Sequence, residues 1–264
     1  MPHLAVSQLY VYPVKSCRGM SLATVGIEPP GLRGDRRWMI VDEHGVFVAQ
    51  RAVGALGVGI RAMCLIEPRI GDGALTLSAP GMPALAVPTE GAGPARDVQL
   101  WRRRRRVLDE GDAAADWCTT FLARERPGRY RLVRLPGDER DAPIFSDTAP
   151  VLVISQSSLN ALNQRLAEPV PMDRFRPNIV LAGGAAHLED AARRLRIGAV
   201  ELAGAGLCVR CVLPTIDQRT AEQGKEPLRT LAAFRTTDDG VVFGRHFRPV
   251  AAGTIAVGDQ VAAE

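Results

Sequence analysis

The chain has 264 residues, 46% of them hydrophobic and 23% charged, which is enough for one large domain or two ordinary ones with a real core. A net charge of +4 is mild; it suits a phosphorylated ligand or an acidic protein partner and does not by itself imply nucleic acid. Five cysteines do not make a complete disulfide framework, the N-terminus lacks a signal-peptide pattern, and no stretch approaches the roughly 18 apolar residues of a membrane span. The expected setting is therefore cytoplasmic, with no membrane and no nucleic-acid partner.

The first hundred residues read as strands. LAVSQLYVYPV alternates β-branched and aromatic residues, RRWMIVDEHGVFVAQR is two strand-like runs about a His44-Gly45 turn, and GALTLSAPGMPALAVP repeats the pattern about Pro80-Gly81. Short strands punctuated by Gly and Pro suggest a barrel or sandwich. Between about 111 and 128 the period becomes helical, with Ala114, Trp117, Cys118, Phe121 and Leu122 on one face. RLPGDERDAPIFSD is turn-rich and reads as a loop. PVLVIS then reads as a buried strand, followed by a helix with Ser155 or Ser157 as its N-cap. FRPNIVLAGG is a further buried strand, and short strands end the chain. The expected fold is a β-rich α+β protein with a few helices, divided into residues 1–120 and 121–264.

The chemistry centres on Cys208 and Cys211, the one close cysteine pair. A C-x-x-C can be a redox dithiol, half of a zinc site, or a ligand of another metal or cluster. The four histidines are scattered away from zinc-finger spacing, no second C-x-x-C exists, and the Pro214 region is a poor helix start for a thioredoxin-like dithiol. A single-thiolate ligand remains, helped by the neighbouring charge of Arg210. Elsewhere, Lys15, Ser16 and Arg18 follow a strand ending at Pro13 and could hold a phosphate, although on this motif alone an ordinary basic turn is the preferred reading. Arg36 and Arg37, taken as strand residues, would face opposite sides, so one would need a buried anion. Ser146, Asp147 and Thr148 stand at a strand entrance, where they could donate to a ligand or cap a turn. Arg176 and Asn178, two apart, would share one face of an extended segment at the mouth of a buried strand. The run from Arg102 to Arg106 reads as a solvated edge strand, since no aromatic platform for bases is interleaved with it.

YPVKSCRG, GDRRWM, FSDTAPVLVIS, FRPNIV, CVRCVLPTID, KEPLRTLAAFR and GTIAVGD occur in the order found in MOSC proteins that carry an N-terminal MOSC β-barrel domain. The chain resembles the amidoxime-reducing branch of that family from about Leu9 to Val261. The resemblance implies two β-barrel-like domains and a molybdenum cofactor (molybdopterin), with Cys211 as the metal-ligating thiolate. It implies Lys15, Ser16, Arg36, Thr148, Arg176, Asn178 and Arg210 as cofactor-binding residues, and Asp147 near the metal as a conceivable proton carrier. Cys208 matches a position that does not carry the metal. The implied reaction is a two-electron reduction of N-hydroxylated substrates, such as amidoximes, hydroxylamines or N-hydroxylated bases, to the amine or amidine and water. The chain starts directly at the first strand and stops after the last one, so the expected electron donor is a separate ferredoxin, flavoprotein or small haem protein, for which Arg102 to Arg106 offer a docking patch. Two other readings of the same basic pocket are a sulfur carrier with a persulfide on Cys211 and a pyridoxal phosphate site at Lys15.

Overall fold

In the strand Ala5–Val11 the buried residues are Val6, Leu9 and Val11, which strict alternation would put on opposite faces. A register shift between Val6 and Gln8 against the strand Ile179–Ala182 inserts one extra residue, and both ends then point into the same core. The computed structural model in which this is seen describes residues 3–52, 54–90, 93–137 and 144–264.

Ala5–Val11 belongs to the largest sheet. Its path runs Met20–Leu22, Ala5–Val11, Ile179–Ala182, Val151–Ser155, Gly240–Ala251, Val200–Val209, Arg194–Ile197 and Val261–Ala263. The sheet curls until its last strand meets the N-terminal end of Ala5–Val11: the Val261 amide donates to Leu4 O at 2.8 Å, and the Val6 amide donates to Asp259 O at 2.9 Å. The interior is filled by Val6, Leu9, Val151, Val153, Ile179, Leu181, Leu195, Phe247 and Ile255, among others. Each such side chain contributes about 1.5–3 kcal/mol by leaving water.

All the pairings along this path are antiparallel except one. Val151–Ser155 and Ile179–Ala182 run parallel, which requires a crossover, and the helix Gln156–Asn163 lies within it. Ser155 is its N-cap: the hydroxyl accepts from the Ser158 amide at 3.1 Å. The expected helix in the first half is Asp112–Leu122, which buries Ala114, Ala115, Trp117, Cys118, Phe121 and Leu122. It packs on a four-stranded antiparallel sheet in the order Ala95–Leu100, Arg103–Asp109, Tyr130–Arg134, Trp38–Asp42. The fold is thus β-rich α+β, with short helices between strands. Among the described residues no helix is long and apolar enough to cross a membrane.

Three local expectations change. Arg36 lies in a turn with φ of 50°, not on a strand, so alternation does not decide where it points. Arg176 ends a 3-10 turn, Met172–Phe175, with φ of 55°, so it is not part of an extended segment either. The arginine-rich strand is second in its sheet, not at the edge. Its partner Tyr130–Arg134 reaches only Leu108 and Asp109, so the arginines themselves pair with Ala95–Leu100 alone.

Candidate functional site

Lys15, Ser16, Arg36, Asp147, Thr148, Arg176, Asn178, Arg210 and Cys211 all line one cavity of about 220 Å³. Arg18 and Arg37 do not: Arg18 forms an ion pair with Glu67, and Arg37 Nη2 donates to Gly137 O at 3.3 Å. Lys15 and Ser16 come from the turn after Ala5–Val11, Arg36 from the turn that enters Trp38–Asp42, Asp147 and Thr148 from the entrance of Val151–Ser155, Arg176 and Asn178 from the approach to Ile179–Ala182, and Arg210 and Cys211 from the end of Val200–Val209. The convergence is a product of sheet order. Four strands adjacent or nearly adjacent in the sheet end, or are entered, at this place.

The two cysteines part company here. Cys208 is buried inside the strand, where burial raises its thiol pKa against the opposing charge of Arg210. Cys211 lies just past the strand end and is exposed, the one exposed thiol of the five. The Arg210 guanidinium is committed to carbonyls: Nη1 donates to Phe175 O at 2.9 Å and Nε to Phe243 O at 2.8 Å. It therefore ties the strand end to its neighbours and leaves a fixed positive charge beside the thiol.

The rest of the site is cationic. Lys15, Arg36, Arg51, Arg176 and Arg210 line the cavity, against the single carboxylate of Asp147. Lys15 is buried; its Nζ donates to Phe145 O at 3.1 Å and forms an ion pair with Asp147. Burial pulls the Lys15 pKa down, with Asp147 opposing and Arg36 and Arg176 adding to the fall. Burial works against ionisation of Asp147, but Lys15, the Trp101 indole donor at 3.0 Å and Arg36 hold its carboxyl below the usual range. Arg36 pairs with the fully buried Asp35, which also accepts the Tyr12 amide at 2.7 Å. Arg176 is 8% exposed, donates to Cys17 O at 2.7 Å and lies over the Tyr12 ring at 4.2 Å, yet it forms no ion pair of its own among the described residues; Asp35, whose charge reaches it, is paired with Arg36. Burial lowers its pKa, although Tyr12 opposes. A guanidinium buried without an ion pair of its own needs an anion from outside the chain.

Backbone conformation supports the same conclusion. Ser16, Arg36 and Arg176 all have positive φ, at 66°, 50° and 55°. Such conformations cost about 1–3 kcal/mol each in non-glycine residues and persist where the surroundings over-determine them, often at ligand sites. All three line the one cavity. Asn178 has a different role from its neighbours. Its fully buried amide accepts from the Leu152 amide at 3.1 Å, donates to Tyr10 O at 3.2 Å and touches Arg36 at 3.5 Å. It clamps three strands and aims Arg36.

Sequence reasoning missed Arg51, Phe175 and His246, which line the same cavity. His246 stands beside Arg245 between the buried Phe243 and Phe247, so its local sequence does not set it apart. Its Nδ1 is buried without a hydrogen-bond partner among the described residues, and burial, with Arg210, Arg36 and Arg248, lowers its pKa to about 4. Arg51 carries no signal either; the fold brings it over the Trp101 ring at 5.3 Å.

An anion-seeking cavity with one exposed thiolate candidate suits a phosphate-bearing cofactor bound through a soft metal: Lys15, Arg36 and Arg176 supply the charge, and Cys211 the sulfur. The family descriptions MOSC N-terminal beta barrel domain and MOSC domain match residues 3–125 and 141–262. Mitochondrial amidoxime-reducing component 1 of Mus musculus is 34% identical over 97% of this chain and 81% of its own length. The Homo sapiens component 1 is likewise 34% identical, over 97% and 82%, and component 2 of Bos taurus is 32% identical over the same shares. With both descriptions matched in sequence order and relatives this similar along nearly its whole length, the chain belongs to the MOSC family, in the group with an N-terminal MOSC β-barrel domain.

Proposed function

We propose that this protein is a molybdenum-cofactor-dependent reductase of N-hydroxylated compounds, drawing electrons from a separate donor protein in the cytoplasm. For an amidoxime the balance is R–C(NH2)=N–OH + 2 e⁻ + 2 H⁺ → R–C(NH2)=NH + H2O, in which the N–O bond breaks and the oxygen leaves as water. The observation that carries the proposal is the convergence of Lys15, Arg36, Asp147, Arg176 and Cys211, drawn from across the chain, on one cavity with an excess of buried positive charge. The names of the relatives, amidoxime-reducing components, point to the substrate.

When bound, the cofactor supplies the two-electron redox centre at which the N–O bond is cleaved. Cys211 would hold its metal and Cys208 would not. Lys15, Ser16, Arg36, Thr148 and Arg176 would hold the pterin and its phosphate, with Arg210 and Asn178 fixing the walls. Lys15 and Asp147 form a proton-holding pair. The proton rests on Nζ, because Asp147 is kept ionised, and Asp147 stands half-exposed at the mouth where a leaving hydroxyl would need a proton. Passage from Nζ through the Asp147 carboxylate is the route these two residues offer. The ammonium of Lys15 is already engaged by Phe145 O and Asp147, which weighs against its serving as a Schiff-base amine for pyridoxal phosphate.

The test is metal and pterin content in protein made by a host that synthesises the cofactor, together with benzamidoxime reduction by an artificial electron donor. Wild type should carry both and turn over. Cys211→Ala should lose at least about nine-tenths of its molybdenum and its activity, whereas Cys208→Ala should retain metal. Protein without molybdenum or pterin, or full activity in Cys211→Ala, would overturn the proposal. A persulfide on Cys211 with no pterin would instead favour the sulfur-carrier role.

A further inference from the structure

The tip of the hairpin that joins Ala95–Leu100 to Arg103–Asp109 is built into the site. Trp101, with φ of 56°, turns under the hairpin, packs on Phe47 at 4.8 Å and donates its indole N–H to Asp147. Beside it lies a second, larger cavity of about 760 Å³. Its wall shares Ser146, Asp147 and Thr148 with the cavity of Cys211, so the two adjoin. Arg102, Arg103 and Arg105 line this outer cavity from the hairpin, and Arg248 lines it from Gly240–Ala251. Arg104 and Arg106 do not; alternation puts them on the opposite face, where Arg106 pairs with Asp97 at 3.0 Å. None of the four lining arginines has a carboxylate partner among the described residues, and the one acid in the cavity, Asp147, is already held by Lys15. Pro29, Pro30, Leu56, Leu100, Ile144 and Pro150 supply the apolar remainder.

We propose that the outer cavity is a substrate subsite for a strongly anionic group, a phosphate before a carboxylate, borne by the N-hydroxylated compound whose reacting end enters the Cys211 cavity. The inference rests on the reductase reading above. Four guanidiniums around one space exceed what a single carboxylate needs and match a dianion, which can take two-pronged hydrogen bonds from more than one of them. An arginine-lined cavity with one already paired acid also disfavours cationic substrates, so selectivity comes from repulsion as well as attraction. The five-arginine run is accordingly divided: its inward members face substrate, while Arg104 and Arg106 remain on the outer face.

The experiment compares benzamidoxime with its 4-carboxy and 4-phosphono analogues, using cofactor-loaded protein and an artificial donor at low salt. It also measures binding of phenylphosphonate by calorimetry. KM should fall in the order neutral, carboxylate, phosphonate, with about tenfold or more between the first and last. In Arg105→Ala/Arg248→Ala the ratio should collapse toward one and phenylphosphonate binding should be lost, whereas Arg104→Ala should keep both. Equal KM values in wild type, or a ratio unchanged in the double variant, would overturn the subsite. If none of the three compounds is reduced, the reductase reading fails. Calorimetry then still decides the subsite: phenylphosphonate bound by wild type and not by the double variant upholds an anion site, and no binding removes it.

Discussion

Cys208 and Cys211 differ by three positions and by their whole chemistry. One is inside a strand with its thiol kept protonated by burial, and the other is past the strand end and open. The spacing identified the pair, but only the point at which the strand stops separates the ligand from its neighbour. Asn178 makes a similar point about roles: it read as a ligand contact, and it is a clamp as well. Asn178→Ala leaves the Leu152 amide and Tyr10 carbonyl without their side-chain partner in a buried place, and should cost about 2–4 kcal/mol in urea unfolding. His246 was visible only as one of four scattered histidines. Its folded pKa of about 4 lies below the ordinary 6.5, so the folded protein keeps it neutral while the unfolded chain takes up a proton. Its contribution to stability is complete above about 6.5, falls as pH drops toward about 4, and is constant below that. Unfolding of the cofactor-free protein followed across this range should show a shallower pH dependence in His246→Gln.

At the scale of elements, alternation and punctuation located most strands and both longer helices, because burial of one face leaves a period that composition does not hide. The failures were turns. Arg36 and Arg176 were placed on extended backbone by analogy with their neighbours, and each adopts a left-handed conformation that no local pattern announces. The arginine run was read as a solvated edge strand, whereas the residue just before it, Trp101, anchors the hairpin to Asp147. Within Gly240–Ala251, Gly244 has φ of 79°, and a Cβ there would lie 2.6 Å from Ile154 Cγ1 and 2.9 Å from Val153 O. Gly244→Ala must push apart two strands that carry the site, so a loss of about 2–4 kcal/mol and a cavity that binds cofactor poorly should follow, seen in urea unfolding and in molybdenum content.

The whole molecule stores a charge imbalance in one place. Lys15, Arg36, Arg51, Arg176 and Arg210 face a cavity with one acid, and burial lowers the pKa of both Lys15 and Arg176. Any anion that enters relieves this repulsion in the folded state only. Inorganic phosphate should therefore raise the Tm of cofactor-free protein, by the equivalent of about 2.7 kcal/mol at a hundred times its Kd. The gain should shrink in Lys15→Met/Arg176→Met. An equal rise in that variant would place the anion elsewhere.

The sequence by itself determined the β-rich architecture, the position of the two longer helices, and the list of segments that carry unusual polar residues. Its ordered motifs were enough to name the family, because hydrophobic period and motif order are properties of the chain read in one dimension. Only the tertiary structure decided that Lys15, Asp147, Arg176 and Cys211 share one cavity, that Arg176 has no ion pair of its own there among the described residues, and that Arg102, Arg103 and Arg105 line the adjoining cavity. These depend on sheet order, which sets residues from opposite ends of the chain side by side, and on the burial that follows. Charge becomes a demand for a ligand only once water has been removed from around it.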